Sequence, residues 1–142
     1  MFVLDGVYDI NKPKLKVSFD FDSTLDCGDV EQFAKRLVND GHEVWIVTSR
    51  LGFGKEPNPN WNDDVFLTAK HIGIPKEQIY FCNLSNKSDF FKNKDFLFHL
   101  DDDTYELNEI REETNVFPVL KGERNDNWLT TCKDLIRIFG TK

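Results

Sequence analysis

Short apolar runs alternate with stretches of helical period along most of the chain. The first clear run is Leu15 to Phe21, where Leu15, Val17, Phe19 and Phe21 alternate with polar residues before acids close the segment; it predicts a strand. Val30, Phe33, Ala34, Leu37 and Val38 then fall on one helical face, with Asp29 as the expected cap, Gln32 as its capping-box partner and Gly41 as the stop. Glu43 to Val47 predicts a second strand, closed by Thr48, Ser49 and Arg50. Residues 52–60 carry two glycines and two prolines and predict a loop. A helix is expected from Asn62 to Ile72, with Val65, Phe66, Ala69 and Ile72 inward and Gly73 and Pro75 as stop signals. Ile79 to Cys82 predicts a third strand, Asn86 to Asn93 a short helix, and Phe96 to Leu100 a fourth strand. Thr104 is the expected cap of a helix reaching about Glu113. Val116 to Leu120 predicts a fifth strand. Its Pro118 cannot donate to a ladder, which places that strand at a sheet edge. The last helix is the clearest: Trp128, Leu129, Cys132, Leu135, Ile136 and Phe139 form one stripe, and Gly140 ends it. At the start, Asp5-Gly6 between Phe2-Val3-Leu4 and Val7-Tyr8-Asp9-Ile10 suits a type I′ hairpin.

Five strands alternating with helices predict an α/β fold, an open parallel sheet with helices on both faces. Ligands of such sheets sit beyond the carboxyl ends of the strands. The residues to examine are therefore Asp20 and Asp22, then Thr48, Ser49 and Arg50, then Asp101, Asp102 and Asp103, with Lys87 at the head of the short helix.

Composition narrows the function. The 142 residues make one domain, 1–142, with its core at about 15–139, and the 39% apolar share supports an ordinary core. Lys and Arg number 18 against 25 Asp and Glu, a net charge of −7. That balance excludes a strongly basic nucleic-acid glove. Cys27, Cys82 and Cys132 contain no C-x-x-C spacing and read as reduced thiols. No segment approaches the roughly 20 apolar residues of a membrane span, so a soluble, cytoplasmic protein without a membrane partner is expected. Lys12, Lys14 and Lys16 read as one solvated strand face. His99, alternating with Phe98, reads as a packed strand residue, and His42 and His71 as surface positions.

Asp20, Asp22, Asp101 and Asp102 would converge at one sheet end. Two carboxylates about 4 Å apart repel by roughly 4 kcal/mol at an effective dielectric of 20, so such a group calls for a cation. An all-oxygen donor set suits Mg²⁺; with no His or Cys among the four, zinc is disfavoured. An Asp beside that cation is a competent nucleophile toward phosphorus. A second Asp two residues on can act as general acid and base. Thr48 can bind a phosphoryl oxygen, and Lys87 can offset charge.

Asp20-Phe21-Asp22-Ser23-Thr24 resembles the first motif, D-x-D-x-T, of the haloacid dehalogenase superfamily. Thr48 resembles its second, Lys87 its third (with Lys92 as the alternative) and Asp101-Asp102 its fourth, all in order. The resemblance implies a three-layer Rossmann-like sheet in the order 5-4-1-2-3, and the spacing of the motifs leaves no room for a separate cap domain. It implies a Mg²⁺-dependent phosphatase acting through aspartyl phosphate. Asp20 would be nucleophile and metal ligand. Asp22 would be the general acid and base, touching the metal through its main-chain oxygen. Asp101 and Asp102 would complete the metal site. The bland alternative is a non-catalytic domain that kept the fold; the intact, mutually repelling acids weigh against it.

Thr48-Ser49-Arg50 and the run from Asp101 to Arg111 are also similar to the phosphatase half of polynucleotide kinase–phosphatases. This shorter resemblance implies a nucleotide or polynucleotide-end phosphate as substrate, with Ser49 and Arg50 binding it. The acidic charge ranks a nucleotide or other small phosphomonoester above a polynucleotide 3′-end. Phe53 and Trp61 are placed to wall the site mouth, where an aromatic face can stack a base.

Overall fold

The computed structural model describes residues 14–52, 60–122 and 127–140. The hairpin expected within residues 1–10, Lys12 and Phe53 lie outside the described residues. Five strands form one all-parallel sheet: β1 (Lys16–Phe19), β2 (Glu43–Thr48), β3 (Ile79–Phe81), β4 (Phe98–Asp101) and β5 (Phe117–Leu120). The order is β3-β2-β1-β4-β5, which is 5-4-1-2-3 read from the other edge. Among the described residues β5, with Pro118, pairs only with β4 and is an edge strand.

The helices are α1 (Gly28–Asn39), α2 (Asp63–Ile72), α3 (Lys87–Phe91), α4 (Thr104–Glu113) and α5 (Trp128–Phe139). Strand alternation sorts them into two layers. Val17, Phe19, Val44, Ile46, Phe98 and Leu100 point to one face and pack with residues of α1, α2 and α5, among them Phe33, Val65 and Trp128. Val47 and the half-buried Trp45 point to the other, packing with Phe90, Phe91 and Ile110 of α3 and α4. Two apolar layers on one sheet are what the near-continuous apolar strands require. Burying one such large side chain contributes about 1.5–3 kcal/mol, so these layers fix the strand ends that carry the polar residues.

Two helix starts differ from expectation. α4 is capped by Asp103, not Thr104: the Asp103 carboxylate accepts from the N–H groups of Tyr105 at 2.9 Å and Glu106 at 3.2 Å. Thr104 is the first helical residue. α1 begins at Gly28 after Cys27, so Asp29 sits inside the first turn and its carboxylate bonds the Val30 N–H. It still acts favourably there, since a negative charge opposes the amino-terminal end of the helix dipole. Gly73 ends α2 as expected: its φ of 103° lies in the left-handed region that glycine reaches without steric cost. Among the described residues, no helix is long and apolar enough to cross a membrane.

Candidate active site

The carboxyl ends of β1 and β4 lie side by side, and the polar residues following them meet there. The Asp20 N–H donates to the Leu100 carbonyl at 2.9 Å, which ties the residue after β1 to β4. The chain then turns tightly. Leu25 N–H returns to the Asp20 carbonyl at 3.1 Å and Asp26 N–H to that of Phe21 at 3.2 Å. Ser23 takes φ 61° inside this turn, a left-handed conformation unusual for a residue with a side chain. Phe21, Thr24 and Leu25 are buried, while Asp22 and Ser23 face solvent.

Lys87 is the centre of the site. It is 2% exposed, and its Nζ donates to Asp20 Oδ1 at 2.8 Å and Asp101 Oδ2 at 2.5 Å. α3 has only five residues and no cap from Asn86. Glu106 of α4 supplies a partner instead, accepting the Lys87 N–H at 3.1 Å. Lys92 lies elsewhere. It pairs with Asp89 and Glu113 and lines a groove of about 1140 Å³ at the amino-terminal end of the sheet, away from Asp20 and Asp101. Lys87 is therefore the lysine that meets the acids.

The electrostatics follow from burial. Asp20 is 6% exposed, and burial with the neighbouring Asp101 pushes its carboxyl well above the usual range, against the pull of Lys87. Burial works against the charge of Asp101 too. Hydrogen bonding from His99 and the nearby Lys87 overcome it and hold Asp101 below the ordinary carboxylate range. Burial alone would neutralise Lys87; Asp20 and Asp101 reverse that and hold the ammonium protonated. The exposed Asp102 is also pushed up, by partial burial and by Asp101.

One carboxylate oxygen from each of Asp20, Asp101 and Asp102 lies within 4.8 Å of the others. Asp20 and Asp101 share one ammonium with Asp102 beside them, and burial and the neighbouring acid oppose ionisation of Asp20 and Asp102. The set lacks positive charge, and its donors are all hard oxygens, so the residues fit a divalent cation such as Mg²⁺. Asp22, expected to touch the metal through its main-chain oxygen, does not place its carboxylate in this cluster.

Asp22 is instead held by Arg50. Arg50 Nη2 and Nε donate to Asp22 Oδ1 and Oδ2 at 2.8 and 3.1 Å. The same guanidinium donates to Asp64 Oδ1 and Oδ2 at 2.8 and 3.0 Å, and to Asn62 Oδ1 and the Trp61 carbonyl. Its plane also lies 5.1 Å from the Phe21 ring centre. Arg50, expected to grip substrate, has its donors committed to Asp22, Asp64, Asn62 and Trp61. Thr48 ends β2, fully buried, and its Oγ1 accepts the Arg50 N–H at 3.3 Å. Ser49 is half-buried, and its carbonyl accepts the Leu84 N–H. Arg50, Leu51, Trp61, Asn62 and Leu84 line a pocket of about 370 Å³ beside Asp22's partner.

The sequence reading passed over three participants. Neither Glu106 nor Asp64 stands out in the sequence, and His99 reads there as a packed strand residue. Asp64 carried one signal: it lies in the first turn of the helix that follows the second motif. No family model matches this chain, and no curated protein matches it.

Proposed function

We propose that the protein is a Mg²⁺-dependent phosphomonoester hydrolase that works through a phosphoaspartate on Asp20. The observation that carries the reading is the buried Lys87 ammonium bridging Asp20 and Asp101, with Asp102 beside them at the sheet's carboxyl edge. Burying Asp20 and Asp101 around one lysine is costly for stability alone, and perturbed titratable groups of this kind concentrate at functional sites. Asp20, Asp101 and Asp102 would hold the cation. Bound Mg²⁺ would supply the missing positive charge and draw phosphoryl oxygens to the cluster.

In the first step an Asp20 carboxylate oxygen attacks phosphorus, the bond to the alcohol oxygen breaks, and Asp22 gives that oxygen a proton. In the second, Asp22 takes a proton from water as the water oxygen attacks phosphorus. The bond to Asp20 breaks and inorganic phosphate leaves. Lys87 offsets charge on Asp20 and on the phosphoryl group in both steps. Thr48, which only accepts from Arg50, can give its hydroxyl hydrogen to a phosphoryl oxygen. Arg50 holds Asp22 at the mouth.

The pocket beside Arg50, with Trp61 37% exposed on its wall, favours a substrate carrying a flat apolar group, hence a nucleotide over a sugar phosphate. The test is hydrolysis of an aryl phosphate with Mg²⁺ and with excess chelator, followed by kcat/KM for nucleotides, 3′-phosphorylated oligonucleotides and sugar phosphates. Mg²⁺-dependent release of phosphate with nucleotides preferred is expected. Full activity in chelator defeats the cation, and no activity on any substrate defeats the enzyme.

A further inference from the structure

Beneath the candidate site lies a buried polar chain that the proposed reaction does not use. Ser18 on β1 and His99 on β4 are register partners, and strand alternation points both to the face covered by α3 and α4, opposite the Phe19 and Leu100 side. Both are 0% exposed. Ser18 Oγ lies 2.7 Å from His99 Nδ1, and His99 Nε2 lies 2.8 Å from Asp101 Oδ2. The Phe91 ring packs against the imidazole with centroids 5.0 Å apart.

The donors can be assigned by counting. A carboxylate only accepts, so His99 Nε2 carries the hydrogen and donates to Asp101. Nδ1 of the neutral ring is then an acceptor, and the Ser18 hydroxyl donates to it. The alternative acceptor for that hydroxyl, the Phe98 carbonyl, is at 3.5 Å. Asp101 Oδ2 thus receives two donors, Lys87 Nζ and His99 Nε2, while Oδ1 receives one, the Asp103 N–H at 3.1 Å. Two donors fill Oδ2. Oδ1 keeps the spare acceptor capacity that a hard cation needs.

We infer that His99, held by Ser18, is a positioning residue that fixes the Asp101 carboxylate so that one oxygen serves Lys87 and the other is reserved for a divalent cation. The inference rests on the cation-dependent reading above. A histidine that only filled space would need neither nitrogen satisfied in this order. An apolar side chain would fill the same volume beside Phe91 and leave Asp101 with one donor fewer on Oδ2. Donors that orient carboxylate and imidazole ligands are worth about 10–100-fold in metal affinity.

The experiment measures Mn²⁺ affinity by electron paramagnetic resonance, without substrate, for the wild type and for His99→Gln, His99→Asn and His99→Leu. Thermal melts of each report folding. The Gln amide reaches the position of Nε2 and can still donate to Asp101; the shorter Asn amide reaches only toward Ser18, and Leu donates nothing. The expected result is affinity within about threefold of wild type for Gln, and a loss of about tenfold or more for Asn and Leu. Cooperatively folded Asn and Leu variants with wild-type Mn²⁺ affinity would overturn the inference and leave the proposed function standing. No Mn²⁺ binding by the wild type itself would overturn the proposed function, and the inference with it. A measurement on the wild type covers the case in which Asn and Leu do not fold: ¹⁵N spectra of the His99 ring must show the hydrogen on Nε2. A hydrogen on Nδ1 would overturn the assignment outright.

Discussion

Arg50 shows how one side chain's partners decide between two roles. A guanidinium has five N–H donors in a fixed fork, and here the fork closes on Asp22 and Asp64 together. If Arg50 bound substrate in the ground state, its loss would raise KM and spare kcat. Its committed donors predict the reverse. Arg50→Ala should lower kcat for an aryl phosphate by about tenfold to a hundredfold through a misplaced Asp22, with KM nearly unchanged. A KM effect alone would return Arg50 to the substrate. Lys87 carries a second expectation at this scale. Lys87→Met keeps the volume but strands two buried carboxylates, so metal-free stability should fall by about 3–5 kcal/mol. Urea unfolding measures it, and saturating Mg²⁺ should recover part of the loss. An unchanged midpoint would mean that the acids take up protons at little cost.

At the scale of elements, the turn after β1 stores strain just past the two acids it presents. Ser23 holds φ 61°, where a side chain costs about 1–3 kcal/mol in a non-glycine residue. Ser23→Gly should therefore stabilise the fold by about 1 kcal/mol, a rise of roughly 2–4 °C in Tm for a domain of this size. A lower Tm would show that the serine side chain contributes more than its backbone costs. The strands and most helices were legible because each is an apolar run or stripe closed by a strong signal, as at Gly73 and Gly140. The helix starts were less so. Asp103 and Thr104 are both good caps one residue apart, and only the observed bonds to Tyr105 and Glu106 N–H decide between them. The Ser18–His99 pair was not legible at all. The two are 81 residues apart, and their meeting depends on the register of β1 against β4, which no local pattern carries.

At the scale of the whole molecule, sheet order converts a linear set of motifs into a cluster. Because β4 returns beside β1, Asp20 and Asp101 become neighbours, and the crossover to α3 delivers Lys87 between them. That convergence could be anticipated from strand ends. The partners that support it, Glu106, Asp64 and His99, come from elements whose packing had first to be known. With three acids short of positive charge, Mg²⁺ should bind the native state and stabilise it by about 2.7 kcal/mol at a hundredfold excess over Kd. A chelator should then lower Tm, and Mg²⁺ restore it; identical melts with and without Mg²⁺ would mean that the cluster holds no cation. The net charge of −7 also predicts a shallow salt dependence and little gain with length for oligonucleotide substrates, since few phosphates beyond the first would be neutralised. A steep salt slope would contradict this and point to several phosphate contacts.

The central claim is that Asp20 becomes covalently phosphorylated during turnover. Rapid acid quenching of the enzyme with Mg²⁺ and an aryl phosphate, followed by mass spectrometry of its peptides, tests it most directly. The account predicts a phosphoryl group on the peptide that carries Asp20, formed within the first turnover and missing in Asp20→Asn, which should also have lost hydrolysis. Steady hydrolysis with no phosphoryl group on the protein, or with one on a different residue, would contradict it.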